Sequence, residues 1–232
     1  MRREIVLLDV TDMGGAHVCI AGLDPDSGQQ LRLSDPTPTQ AMVRKLGGLR
    51  PGDVVSIEWQ PARRVTSPHV EDGAWYPVRL KKVRRTAFEE LSELLARYAF
   101  DSVEEAFGAH CVGSGNTNHA WPPVGGERSL ATLRVRYVRA ARDDRGKVRL
   151  AFRDGAGAYW QSVPFQDLQV KIHQTTCDGC TSGFFENVRS DFDGNTAILR
   201  IGLARAYDHP DHPKACWLQV TNIFARERGH FL

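Results

Sequence analysis

The sequence predicts a mainly β protein, with two small β-barrels in tandem and a short helical insert between them. Short runs of β-branched and aliphatic residues recur in both halves of the chain, separated by turn sequences rich in glycine, proline and aspartate. One strongly helical segment, residues 86–108, lies between these halves. The length of 232 residues suits two domains of about 100 residues each, although one large β domain would also fit. The predicted division is a first barrel over residues 1–85, the helical insert and connector over residues 86–128, and a second barrel over residues 129–232.

The first half of the chain reads as short strands joined by turns. Gly14 and Gly15 supply one turn, and Arg50-Pro-Gly-Asp53 supplies another in which proline presets one backbone dihedral. Because five short strands in one segment of this length can close on themselves, we expect a small closed barrel. The predicted strands are residues 5–10, 17–23, 31–33, 54–59 and 76–83.

The insert is predicted to begin with an amphipathic helix that buries one face. Apolar residues recur there at spacings of three and four, which places them on the same side of a helix. A second short helical turn, with Asp101 and Glu104 as a capping box, is predicted to end near Gly108. The residues of the apolar face are Phe88, Leu91, Leu94, Leu95 and Tyr98.

The second half repeats the first in kind, with hairpin-linked strands, an irregular excursion and two closing strands. Tyr137 has the parity of the apolar residues in its strand, so its ring is expected to face the core. Arg139 would share the face of Arg136 only if a β-bulge lay between them. The predicted strands are residues 130–137, 147–152, 159–163, 168–172, 197–203 and 216–224.

Bulk composition limits the class of protein. The formal net charge of +2 and the pI near 8.3 are mild, so a basic surface would have to come from local clustering. Five cysteines form an odd set, which argues against a secreted disulfide framework. The apolar run at residues 5–10 is too short for a signal sequence or a membrane span. We therefore expect a soluble cytoplasmic protein with no membrane partner.

Basic residues are concentrated in the first hairpin of the second half. Residues 134–153 contain eight basic residues and two acidic ones, and alternate residues of paired strands share a face. Like charges that face each other are destabilising, so a polyanion is one explanation. Nearby aromatic rings would hold single-stranded bases, at roughly 1 to 3 kcal/mol for each stacked base. The alternatives are a solvated face that is charged to protect a sheet edge, or a surface for an acidic protein. The predicted nucleic-acid-binding residues are Arg79, Lys81, Lys82, Arg134, Arg136, Lys147, Arg149, Tyr159 and Trp160.

Two groups of histidine and cysteine residues have spacings typical of metal ligands, which predicts a possible zinc site. Four protein ligands would make this site structural, whereas three would leave a position for water and hydrolytic chemistry. In the alternative, the later histidines belong to a proline-containing turn, and the last cysteine is a small core residue. The candidate ligands are His173, Cys177 and Cys180 in the first group, and His209, His212 and Cys216 in the second.

Four short motifs span nearly the whole chain, and they are Cys19-Ile-Ala-Gly22, Arg50-Pro-Gly-Asp53, His69-Val-Glu-Asp72 and Cys216-Trp-Leu-Gln-Val-Thr-Asn-Ile-Phe224. In these motifs the chain resembles the dual OB-containing domain proteins of prokaryotes. The resemblance implies two OB-like barrels and nucleic-acid recognition in bacterial conflict or defence systems. It implies no catalytic residues.

These observations together predict a non-enzymatic module that recognises nucleic acid, preferably single-stranded DNA or RNA. The competing interpretation is a protein-interaction scaffold whose barrels position a partner effector. A metal-assisted hydrolase is a third interpretation, and it requires the first histidine and cysteine group to converge with the second around an open coordination position.

Overall fold

The structure is a computed structural model that describes residues 2–109, 119–123, 125–168, 170, 196–209 and 212–225. The chain divides into two compact units, the first comprising Met1–Val65 and Glu71–Leu94, and the second Thr66–Val70 and Leu95–Leu232. Each unit is built around one sheet whose strands follow the order of an OB-like barrel. The predicted fold class is therefore confirmed.

The first unit is a closed five-stranded barrel with a sixth strand along one edge. Its elements are β1 (Arg2–Asp12), β2 (Val18–Leu23), β3 (Gln30–Asp35), α1 (Gln40–Lys45), β4 (Asp53–Pro61), β5 (Asp72–Trp75) and β6 (Lys81–Arg85). The strand order is β1, β2, β3, β5, β4 and back to β1, and β6 pairs with β4 outside this circuit. Strands β3 and β5 run parallel, and the other pairs are antiparallel.

Register across the first barrel separates an apolar inner row from a polar outer row. Val10, Ile20 and Leu33 lie in one row across β1, β2 and β3, and all are buried in the core. Beside Leu33 in register, Gly73 on β5 leaves room for the indole of Trp59, which a Cβ at that position would overlap. The alternation of strand side chains thus packs the interior and sends the next residue of each strand outward.

The outer row of the first barrel is also buried where it crosses β1, β2, β3 and β5. Asp9, Ala21, Arg32 and Asp72 are neighbours across β1, β2, β3 and β5, and none is more than 8% exposed. The Nε atom of Arg32 donates to Oδ1 of Asp72 at 2.6 Å. Because this buried ion pair lies on β3 and β5, the outer side of the barrel at this point offers no exposed cation.

The second unit repeats the strand order of the first. Its main strands are arranged as β11, β10, β9, β12 and β14, with β13 beyond β14. A parallel bridge between Phe165 and Val220, just after β11, links the two ends of that order. The elements that complete the chain are α2 (Phe88–Arg97), β7 (Ala99–Phe100), α3 (Val103–Phe107), β8 (Ala120–Trp121), β9 (Leu130–Arg142), β10 (Val148–Asp154), β11 (Tyr159–Pro164), β12 (Thr196–Leu203), β13 (Tyr207–His209) and β14 (His212–Ala225).

The segment predicted as insert and connector contributes strands to the second unit. Strand β7 pairs in parallel with β9, and β8 pairs with β14. The boundary between the two units falls within α2, which carries the predicted apolar face. Helix α3 is capped by Ser102, whose Oγ accepts from the Glu105 backbone N–H at 2.9 Å. The N-cap is thus one residue later than predicted, and the Glu105 carboxylate accepts from the Asp101 backbone N–H at 3.0 Å. No helix in the described ranges is long and apolar enough to cross a membrane.

The last predicted strand of the first half differs from the observed structure. Pro77–Arg79 forms a 3-10 helix, and the strand begins only at Lys81. Val78, which lies within the predicted strand 76–83, is 86% exposed, and Val83 is 49% exposed. The physical reason is Pro77, which begins the 3-10 helix and shifts the phase of the residues that follow.

Candidate nucleic-acid interface

Exposed arginine and tyrosine side chains lie across three adjacent strands of the second barrel. Arg136 on β9 pairs directly with Arg153 on β10, and Arg153 pairs with Tyr159 on β11. All three residues are exposed. Their neighbours Phe152 and Trp160 are buried in the core, so the exposed three occupy the outer face.

A β-bulge brings a further arginine to this face. Phe152 pairs with Val138 and Arg153 with Arg136, so Tyr137 is an extra residue on β9. Its φ angle is +57°, in the left-handed region that residues other than glycine rarely adopt. Val138 is buried and Arg139 is exposed, as expected when one inserted residue changes the parity of a strand. Arg139 therefore lies on the same side as Arg136, and Tyr137 does not enter the core.

An arginine guanidinium lies over the ring of each of the two tyrosines. The Cζ atom of Arg139 lies 4.7 Å from the ring centroid of Tyr137, and that of Arg153 lies 5.4 Å from the ring centroid of Tyr159. Cation–π contact holds these planar groups against each other. We refer to Arg136, Tyr137, Arg139, Arg153 and Tyr159 as the arginine–tyrosine face.

The positive charge of this face is not neutralised by the described part of the chain. Arg136, Arg139 and Arg153 form no ion pair with a carboxylate in the described ranges. Arg153 donates from Nη1 to the carbonyl oxygen of Gly157 at 3.3 Å, which leaves its charge unpaired. The face thus combines cationic and aromatic groups and is open to an anionic ligand.

Arg134, one of the predicted binding residues, forms hydrogen bonds and an ion pair within the second unit. Its Nη2 donates to the carbonyl oxygen of Ala96 at 2.6 Å, and its Nη1 donates to the carbonyl oxygen of Ala99 at 3.0 Å. The same Nη1 lies 2.8 Å from Oδ1 of Asp101. These contacts satisfy carbonyl groups at and beyond the end of α2 and neutralise the guanidinium.

Lys147, also predicted to bind, lies in the turn between β9 and β10, and the predicted Arg149 is the second residue of β10. The Nε of Arg149 donates to Oδ2 of Asp143 at 2.9 Å, and the backbone N–H of Lys147 donates to Oδ1 at 2.8 Å. The Lys147 amide, together with the Arg149 guanidinium, lowers the pKa of Asp143. Arg149 therefore stabilises the turn, whereas the Lys147 side chain remains exposed beside it.

Tyr159 and Trp160 were both predicted to bind nucleic acid, but only Tyr159 is exposed in the structure. Tyr159 is 42% exposed, whereas Trp160 is 6% exposed. The indole of Trp160 stacks on that of Trp121, with centroids 6.1 Å apart, and its Nε1 donates to Oδ2 of Asp154 at 3.0 Å. Trp160 is a core residue with a satisfied hydrogen-bond donor, so its ring does not offer a surface for a base.

The predicted residues of the first half lie at the edge of the first barrel. Lys82 and Arg85 contact the buried carboxylate of Asp53, at 2.8 and 3.2 Å. Arg79 lies 3.6 Å from Oε1 of Glu58, and Lys81 forms no ion pair with a described carboxylate. These cations follow strand β6 and the turn before it, and no aromatic residue belongs to that strand.

Three of the four residues of the motif at residues 69–72 are buried, whereas Val70 is 41% exposed. His69 and Glu71 are 2% and 5% exposed, and Asp72 is held by Arg32. Cys19, from another of the motifs, lies near the same ion pair, and burial raises the pKa of its thiol. Asp72 therefore belongs to the buried outer row of the first barrel, whereas His69 falls within the second unit.

The candidate metal ligands are only partly described. His173, Cys177 and Cys180 lie outside the described residues. The backbones of His209 and His212 pair across the β13–β14 hairpin, and Cys216 is buried in the second core, where burial raises the pKa of its thiol. No group of three or more potential ligands occurs within the described ranges. The zinc site stays a prediction.

Comparison with known proteins identifies no family. No family model matches the chain, and no curated protein matches it. Among solved structures, the chain is similar to one from a replication protein A heterotrimer bound to single-stranded DNA, with 8% identity and a TM-score of 0.35. That similarity covers 93% of this chain and 48% of the other, so the protein spans about half the length of that structure. A similarity this weak carries no argument. The fold alone defines the class, which is a protein of two OB-like barrels.

Proposed function

We propose that the protein is a non-enzymatic module that binds single-stranded nucleic acid on the arginine–tyrosine face of its second barrel. The observation that carries this proposal is the direct pairing of Arg136 with Arg153 on an exposed face that also holds two tyrosines. Like charges directly opposite each other across two strands are destabilising, and a phosphate between them would remove the repulsion.

The position of the face agrees with the way OB folds bind ligands. Such barrels hold oligonucleotides on the face of their second and third strands. In the second unit these strands are β10 and β11, which carry Arg153 and Tyr159. The corresponding face of the first barrel is closed by the Arg32 and Asp72 ion pair. The binding activity is therefore assigned to the second barrel.

The aromatic groups favour a single strand over a duplex. Bases stack on tyrosine rings or on guanidinium planes only when they are free of their own helical stack. On this face a base would stack on an arginine that is itself held by a tyrosine. The motif resemblance supports a setting in bacterial conflict or defence, and the odd set of five cysteines supports a cytoplasmic location. Analysis of nucleic acid that copurifies with the protein from cells would test whether it binds nucleic acid there.

Replacing Arg136 and Arg153 by alanine is expected to weaken binding of a labelled oligonucleotide of about 12 nucleotides by roughly tenfold or more. Because each lost phosphate contact removes about 0.7 from the slope of log affinity against log salt, the slope should fall by about 1.4. Fluorescence anisotropy at about 50 and about 200 mM salt measures both quantities.

The matched control is the double replacement of Arg134 and Arg149, which removes the same charge from the same two strands. Because those guanidiniums are bound by Asp101 and Asp143, the salt slope should remain that of the unaltered protein. An equal loss of slope in both double variants would show general electrostatic attraction and no defined site. The absence of salt-dependent binding in the unaltered protein would refute the proposal.

Replacing Tyr159 by alanine is expected to cost about 1 to 3 kcal/mol of binding free energy for one stacked base, with little change in the salt slope. Replacement by phenylalanine retains the ring and should retain the affinity. The same anisotropy titration checks both variants. A loss that is equal for alanine and phenylalanine would assign the effect to the hydroxyl group and would contradict stacking.

A further inference from the structure

We propose that strand β6 of the first barrel is a docking edge for an extended acidic segment of a partner protein, which adds to the sheet as a further strand. This surface lies in the first unit and is separate from the arginine–tyrosine face, so the inference does not depend on the proposed nucleic-acid site.

On one side of β6, no described strand pairs with the backbone. The strand pairs with β4 and stands at the end of the strand order, and within the described ranges no other strand pairs with it. All five of its residues are exposed. An exposed edge strand presents unpaired N–H and C=O groups that an extended peptide can bind, which is the basis of β-strand addition.

The charge along this edge favours an acidic partner. Five cations along this edge face three carboxylates within the described ranges, and Lys81 contacts none of the three, so the positive charge is only partly neutralised there. Arg84 is held by both carboxylate oxygens of Glu90, at 2.7 and 2.9 Å. The cations of the edge are Arg79, Lys81, Lys82, Arg84 and Arg85, and their carboxylate partners among the described residues include Asp53, Glu58 and Glu90.

Other occupants suit the edge less well. A second copy of β6 paired antiparallel would place cation opposite cation, which is destabilising. Nucleic acid has no main-chain ladder to pair with the strand, and β6 carries no aromatic ring for a base. Val78 and Val83, both exposed, would contact apolar side chains of an incoming peptide. The fitting ligand is a strand in which acidic and apolar residues alternate.

The test uses the full-length protein and a labelled peptide of about ten residues that alternates glutamate with valine. The expected result is saturable binding, together with slower hydrogen exchange at the amides of Lys81–Arg85. Lys81→Glu should weaken binding by about tenfold. The matched control, Lys45→Glu, reverses an exposed charge on α1 of the same unit and should leave binding unchanged.

Each other outcome overturns the proposal. No binding of the peptide, or equal binding of a peptide that alternates lysine with valine, would exclude selection for an acidic strand. Binding without amide protection on β6 would exclude strand addition. If Lys81→Glu instead abolished binding of a single-stranded oligonucleotide and left peptide binding intact, β6 would be a nucleic-acid surface.

Discussion

Replacing Asp72 by alanine is expected to lower the free energy of unfolding of the first barrel by about 3 to 5 kcal/mol. The change would leave the guanidinium of Arg32 buried without the carboxylate that lies 2.6 Å from its Nε. Removing one member of a buried ion pair takes the nearest opposite charge from the other, which is among the largest single penalties a fold can incur. Urea denaturation followed by far-UV circular dichroism measures the loss.

A double variant distinguishes two contributions to the free energy of unfolding: the cost of removing one member of the ion pair and the net contribution of the whole pair. Replacing Arg32 by methionine and Asp72 by leucine removes both charges and retains apolar volume, so its stability should lie much closer to that of the unaltered protein. If the double variant lost as much stability as Asp72→Ala, the effect would come from packing. If Asp72→Ala changed the unfolding free energy by less than about 1 kcal/mol, the pair would not be buried as described.

Replacing Trp160 by alanine is expected to destabilise the second barrel by about 3 to 5 kcal/mol. The indole fills the core beside Trp121 and Val163, and it donates to Asp154, which also accepts the backbone N–H of Val103 at 3.3 Å. Truncation would leave a cavity and remove one of these hydrogen bonds. The shift of the urea midpoint, with an unchanged denaturant slope, reports the loss.

The neighbouring residue supplies the control for this prediction. Tyr159→Ala removes an exposed ring, so we expect a loss of stability within about 0.5 kcal/mol together with the loss of binding described above. Trp160→Phe, which retains an aromatic ring in the core, should recover much of the lost stability. A Trp160→Ala protein of normal stability but weak binding would show that the indole contacts the ligand.

The fold class was predictable because it depends on features that recur along the chain. Strand periodicity, glycine and proline turns and a single amphipathic helix define two β-rich halves, and their order matches the observed barrels. Residues 76–83 were misread as one strand, since the pattern of apolar residues does not show that Pro77 begins a 3-10 helix. Local alternation is therefore sufficient for most strands. It failed where Pro77 changes the phase, at β5, which no predicted strand covers, and at Leu168 and Val170, which are helical within the predicted strand 168–172.

The candidate site was predictable only in part. Alternation already implies that Tyr159 and Trp160 face opposite sides of a strand, so one of them had to be buried. The sequence does not show that the Arg134 side chain is bound within the fold, because the carbonyl groups to which it donates lie more than thirty residues earlier in the chain. The bulge at Tyr137 was needed to align Arg139 with Arg136, but the sequence does not specify its position.

The two barrels share a strand order but differ in whether the side chains on their outer faces are needed for folding. In the first, an arginine on that face is already committed to a neighbouring aspartate, so substitutions there would be constrained by folding. In the second, the exposed arginines and tyrosines make few contacts that the barrel needs. Such a surface can change its ligand preference through point substitutions without loss of the native state, so relatives of this chain should vary most at the arginine–tyrosine face and least around Arg32.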